Sequence, residues 1–417
     1  MEKIKKLLFE NQGTKQILFK NTFWLMAAEV VAKFFLFIIT ISIVRYLGVE
    51  TYGKYSFAVA FTSMFGVIVD FGLGTMLLQE LTSIGKKNAS QIFGSILTLK
   101  FFLGLIAFFL IFLISFFLKV SPDVHRLILL GGVYMAIQSF VLIFPSLFQA
   151  YEAMQYSFIV RTGSNILLVI FVLSVIFFKL PVSAIFYAYI LTAILMLLVC
   201  LFLVRKHLFS VRFGIDKLTI GYLFNQSWPL FFGNVCITLY MFVDTTIISF
   251  FRNYREVGIY QSAYKLLYVF STLNIVHTVL YPRMADLYKS NKDKLYKLLK
   301  FIISISLVIL IPAIAIIGVF RNQLIHLIYG VRFQGSGDVM ILLIIGGAIS
   351  YFTGFFASLL LIKRKQKHWF FAILFGLIIN IVINYLLIPV YGPIGAGIGY
   401  VGGYMIMFSS FVVLSNY

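Results

Sequence analysis

Gly53-Lys54-Tyr55-Ser56-Phe57-Ala58 returns as Gly258-Ile259-Tyr260-Gln261-Ser262-Ala263, so a Gly-x-Tyr-x-x-Ala pattern is written twice in one chain. Other positions echo in the same way. Trp24 and Trp228 each stand early in an apolar stretch, and Pro181-x-x-Ala184 is matched by Pro393-x-x-Ala396. Two homologous halves are a common way to build one central site that opens to either side in turn, and the pattern points toward membrane transport.

Composition points the same way. Hydrophobic residues make up 61% and charged residues 12% of the 417 positions, whereas soluble domains carry about 25% charged residues. About 20 apolar residues are needed to cross a hydrocarbon layer of about 30 Å. Twelve stretches reach that length: 21–44, 55–78, 91–118, 127–150, 157–178 and 183–204, then 222–250, 259–281, 301–320, 338–362, 369–388 and 394–415. The expected architecture is an all-α integral membrane protein, with twelve transmembrane helices in two six-helix bundles around a central cavity. Residues 1–20 are a basic N-terminal segment, 21–204 the first bundle, 205–221 a linker and 222–417 the second bundle.

The net charge of +20 is spread over short loops between spans and not gathered on one basic module, which argues against a nucleic-acid partner. Lys and Arg in short loops are retained on the cytoplasmic side. An inside N-terminus collects Lys3, Lys86, Arg205, Lys217, Arg283, Lys300 and Lys363, with their basic neighbours, on that side. Both termini are therefore expected in the cytoplasm, and some of these cations can attract anionic membrane lipids. Cys200 and Cys236 lie in apolar spans without metal-ligand spacing. No nucleophile triad, metal cluster or phosphate-cradling loop is present, so no cofactor is expected and the chain does not read as an enzyme. Pro145, Pro229 and Pro312 fall within spans and serve as fixed bends or as hinges. Gly395, Gly399 and Gly403 form one stripe on the last span, for close packing or for sliding.

Ionisable side chains inside a span cost several kcal/mol (about 2.5 or more) unless they meet a partner or a wet cavity, so each is a candidate. They are Glu29, Lys33, Asp70, Lys100, Arg161, Asp244 and Lys265. At a rise of about 1.5 Å per residue, Lys33 sits about 16 Å deep and Lys100 about 14 Å deep, near the bilayer midplane. Facing one cavity, they suit a pyrophosphate, which needs concentrated positive charge when stripped of water. Arg161 and Lys265 extend that field, or else reach the interface along their own stems. Glu29 and Lys33 are four residues apart and can pair with each other. Glu29, Asp70 and Asp244 are candidate coupling carboxylates for H+ or Na+, or else partners in structural ion pairs.

Three blocks carry a resemblance. Arg45-Tyr46-Leu47-Gly48 with Tyr52-Gly53-x-Tyr55 and Asp70-Phe71-Gly72-Leu73 is similar to the first two helices of bacterial polysaccharide flippases. Asp244 with Glu256-Val257-Gly258-x-Tyr260-x-x-Ala263-x-Lys265 resembles their seventh and eighth helices. Asn384-Tyr385-x-x-Ile388-Pro389-x-Tyr391-Gly392-x-x-Gly395-Ala396 resembles the turn between their eleventh and twelfth helices. The resemblance implies the multidrug/oligosaccharidyl-lipid/polysaccharide exporter superfamily and its MATE-like fold. It also implies a cargo, an undecaprenyl-pyrophosphate-linked oligosaccharide moved across the bacterial inner membrane for O-antigen or a similar surface polysaccharide. A polysaccharide polymerase and a chain-length regulator are the implied protein partners. The rival readings are a multidrug cation antiporter on the same fold, a membrane polysaccharide polymerase or ligase, and an assembly scaffold.

Overall fold

A computed structural model describes residues 14–83, 88–211, 214, 217–267 and 275–416. The first half contains α1 (Thr14–Asp70), α2 (Leu73–Ser83), α3 (Ala89–Phe117), α4 (Pro122–Val141), α5 (Phe144–Ala150), α6 (Met154–Phe177) and α7 (Val182–His207). The second contains α8 (Lys217–Phe251), α9 (Tyr254–Leu266), α10 (Ile275–Ser290), α11 (Lys292–Val319), α12 (Arg321–Tyr329), α13 (Ser336–Ile362), α14 (Gln366–Tyr391) and α15 (Pro393–Asn416). Among the described residues there is no strand, and ten helical segments are long and apolar enough to cross a membrane. One of these, Ala27–Thr82, takes in most of the first expected span and all of the second. The expected eighth span, 259–281, runs through residues 268–274, outside the described residues, as do the basic residues before position 14.

The surface is apolar, unlike that of a soluble protein. Phe177 is 79% exposed and Val308 73% exposed, within a surface rich in Phe, Leu, Ile and Val. The buried positions include Lys100, Asp244, Asn380 and Asn384. Helices satisfy their own backbone groups, which lets these helices meet lipid on their outside.

The two spans inside α1 are separated at Gly48, whose φ of 69° and ψ of 175° interrupt the helix. An L side chain does not adopt that conformation, so the glycine of Arg45-Tyr46-Leu47-Gly48 makes the turn. Its counterpart in the second copy is Asn253, at the same 205-residue offset that relates Gly53 to Gly258. There the break is made by capping: the Asn253 side chain accepts from the Glu256 amide at 3.0 Å and starts α9.

The described chain forms two compact units. One comprises Met1–Tyr46 with Phe61–Val235, the other Leu47–Ala60 with Cys236–Tyr417. The first unit is packed around Phe93, Phe144, Leu147 and Phe148, with the Phe93 and Phe144 rings edge to face at 5.3 Å. In the same unit Pro145 stands in the first turn of α5, just after α4 ends, where its missing N–H costs nothing. The second unit buries Met284, Leu287, Leu295, Tyr351, Phe355 and Leu359. Its Gly395 approaches the Leu387 backbone, Gly399 the Asn384 amide and Gly403 the Tyr240 hydroxyl. The glycine stripe is thus used for close packing. Pro312 lies inside α11, while the side chain of Pro229 falls outside the described residues.

The two copies of the opening motif meet inside the second unit. A methyl group on Gly53 would overlap the carbonyl oxygen of Tyr254, and one on Gly258 would overlap that of Val49. Val49 and Tyr254 are themselves separated by the 205-residue offset, so the contact is reciprocal: each copy presents its glycine to the equivalent carbonyl of the other. Rings of Phe57 and Tyr254, 5.8 Å apart, and of Tyr52 and Phe333, 6.2 Å apart, flank it.

Candidate functional site

The second unit holds a sealed polar centre. Asp244 lies on α8 and is only 1% exposed. Its Oδ2 accepts from the Tyr260 hydroxyl at 2.5 Å, and its Oδ1 from Asn384 Nδ2 at 2.5 Å. Tyr260 comes from α9, and Asn384 comes from α14, where it stands one turn from Asn380. The Asn384 amide nitrogen also reaches Asn380 Oδ1 at 3.2 Å. Asn384 Oδ1 and Asn380 Nδ2 make no hydrogen bond of ordinary geometry among the described residues, although both side chains are fully enclosed. Gly399 on α15 lets Asn384 in, since a methyl group there would strike its oxygen. Among the described residues no Lys, Arg or His forms an ion pair with Asp244. A carboxylate buried among neutral groups demands a proton or a cation.

The first unit carries its charges differently. Glu29 on α1 pairs with Arg161 on α6, and the two side chains are 40% and 41% exposed. Lys33, one turn along α1, is half-buried. Lys100 on α3 is fully buried, and its Nζ donates to the Val69 carbonyl at 3.3 Å and to Asp70 Oδ1 at 3.5 Å. Those acceptors sit where α1 stops. Phe71 and Gly72 take φ of 44° and 73°, and the helix resumes as α2. Lys100 therefore compensates the Val69 backbone carbonyl, which the break would strand. Asp70 is 48% exposed. Lys100→Ala is expected to lower stability by about 1–3 kcal/mol, the usual cost of stranding a buried polar group. The thermal midpoint of the purified protein measures it.

Of the charged candidates, the structure brings Glu29 and Arg161 together, and separately Asp70 and Lys100. Asp244 stands in the other unit, and Lys265 is half-buried near the end of α9. His277, on α10, packs on Tyr351 and Phe355 with ring distances of 5.0 and 4.3 Å. The site residues that sequence reading passed over are neutral. Tyr260, Asn380 and Asn384 carry no charge to flag them, though two asparagines one turn apart in an apolar span are a usable signal.

The chain matches the family described as polysaccharide biosynthesis protein over residues 18–288, a range that contains both motif copies and all seven charged candidates. It belongs to that family. An uncharacterised membrane protein of Methanocaldococcus jannaschii is 22% identical over 383 residues, covering 83% of this chain and 74% of its own length. The lipid II flippase MurJ in an inward closed conformation superposes with a TM-score of 0.78 at 15% identity, covering 95% of this chain and 88% of MurJ. An inward-facing multidrug resistance MATE family transporter of the MOP superfamily gives 0.72 at 15% identity, with 91% and 93% covered. At those identities the two structures establish the fold, and it is MATE-like. The polysaccharide biosynthesis family thus supplies the membership and the solved structures the architecture.

Proposed function

We propose that this protein flips an undecaprenyl-pyrophosphate-linked oligosaccharide across the bacterial inner membrane by alternating access, for O-antigen or a related surface polysaccharide. The observation that carries this reading is the distribution of charge. Lys33 and Arg161 are partly exposed in the first unit, where they suit an anionic cargo, while the acid of the second unit is sealed. A multidrug cation antiporter needs an acid that an organic cation can touch. Asp244 is 1% exposed, Asp70 is held by Lys100, and Glu29 and Arg161 offset each other, so Glu29, Lys33 and Arg161 together carry one net positive charge. Membership of the polysaccharide biosynthesis family supports the same cargo.

Asp244 is the coupling group in this reading. Its carboxylate, with the enclosed oxygen of Asn384, takes up H+ or Na+ as the transport cycle turns. Both termini lie in the cytoplasm, on the side of the exposed cations Arg283, Lys289, Lys292, Lys294 and Lys297. The cargo is passed on to a polymerase acting with a chain-length regulator.

The test is transbilayer movement of a fluorescent undecaprenyl-pyrophosphoryl oligosaccharide in proteoliposomes under an imposed ion gradient. The wild type is expected to move it, and a Lys33→Ala, Arg161→Ala double variant to move it about tenfold more slowly or worse, since a charge-assisted hydrogen bond contributes about 1.5–3 kcal/mol. Unaltered flipping in that variant would remove these cations from the cargo site. Drug-driven ion exchange with no lipid movement would favour the antiporter, and sugar polymerisation by the purified protein would favour the enzyme.

A further inference from the structure

The second unit contains a cavity of about 360 Å³, within the size range of small-molecule sites. Its wall includes Tyr240, Tyr400, Tyr404, Trp369, Ser350 and Thr353, from α8, α13, α14 and α15. Among the described residues, no charged side chain lines it. We infer that this cavity binds the neutral sugar portion of the cargo, an inference that rests on the flippase reading above.

Two properties of the wall select a sugar. The first is rigid aromatic surface. The Tyr240 and Tyr404 rings meet edge to face at 4.7 Å and Tyr400 and Tyr404 at 5.0 Å, so the rings hold one another in place. The C–H face of a pyranose stacks on such rings, and Trp369 offers the largest of them. The second is a set of hydroxyls already oriented by the protein. Tyr240 donates to the Tyr400 carbonyl at 2.8 Å and Thr353 to the Ile349 carbonyl at 2.7 Å. A hydroxyl that has donated keeps its lone pairs; the Tyr240 oxygen is packed against Gly403, which leaves the Thr353 oxygen to accept from a sugar hydroxyl. An isoprenoid tail would cover that oxygen and give nothing back, which costs free energy. A pyrophosphate would enter without a cation to meet it.

The experiment uses the full chain in nanodiscs. Trp24→Phe and Trp228→Phe leave Trp369 as the reporter, since the chain has 3 tryptophans. The probes are farnesol, farnesyl pyrophosphate and farnesyl-pyrophosphoryl-N-acetylglucosamine. The sugar-bearing probe is expected to shift Trp369 emission and to bind about tenfold more tightly than farnesyl pyrophosphate, the scale on which sites built for hydroxyls discriminate at least. That preference should vanish in Thr353→Val, and in Trp369→Ala followed by radiolabelled probe, with binding of farnesyl pyrophosphate retained as the check on folding. Equal affinity for the two pyrophosphates in the wild type would overturn the assignment. So would a preference that survives both variants, or a farnesol-induced shift as large as that of the sugar-bearing probe. Flipping measured in parallel separates the two ideas. Flipping without a sugar preference sinks the cavity assignment alone, and a sugar preference without flipping sinks the flippase reading alone.

Discussion

Gly53→Val and Gly258→Val each lose about 3 kcal/mol or more of stability, and the double variant loses little beyond the worse of the two. The reason is where the added atoms would go. At both positions the first carbon already overlaps a backbone carbonyl, of Tyr254 in one case and Val49 in the other, so no rotamer relieves it and a helix has to move. Overpacking against mobile side chains costs about 1–3 kcal/mol, and displacing backbone lies at or above the top of that range. The two substitutions act on one contact, and changes at a shared contact do not add. Gly214→Ala is the control, because a methyl group there meets nothing within 4 Å. Thermal unfolding of the four variants beside the wild type reads the result. Costs for Gly53→Val and Gly258→Val that simply summed would show that the two copies are not in one contact.

Asp244→Asn leaves a folded protein whose transport has lost its dependence on the coupling ion, with a rate reduced about a hundredfold. The asparagine keeps an oxygen for the Tyr260 hydroxyl and removes the charge that requires a proton or a cation. Asp244→Ala behaves differently. It strands the Tyr260 hydroxyl and the Asn384 amide in a closed site, and stability falls by about 1–3 kcal/mol besides. Flipping rates measured against sodium concentration and against pH distinguish the two ions. A wild-type ion dependence in Asp244→Asn would remove this residue from the coupling step.

What could be read beforehand follows from what lipid imposes. An apolar run of span length is visible wherever it occurs, because every side of a helix that meets lipid or a like neighbour is apolar; Phe177 and Val308 belong to that signal. The rotation of a helix about its axis leaves no such trace. Counting residues puts Lys33 and Lys100 at one depth, yet Lys33 is half-buried on α1 while Lys100 turns to the break between α1 and α2 and is fully enclosed. Pairing between distant spans was equally hidden: the contact of Glu29 with Arg161 joins residues 132 apart. Asp244 was legible through its charge, whereas Asn384 stood in a resemblance block without a role at the site and Asn380 was not marked.

The reciprocal glycine contact also bears on why the motif can be read twice at all. A contact and its two-fold equivalent share one geometry, so a bulky replacement in either copy disturbs the helix that carries the other. Neither copy can drift alone. Elsewhere in the chain the two halves meet different neighbours and are at liberty to diverge, as Lys33 and Asp244 show by having no like-charged counterpart at the same offset. The Gly-x-Tyr-x-x-Ala pattern thus repeats where the two copies touch.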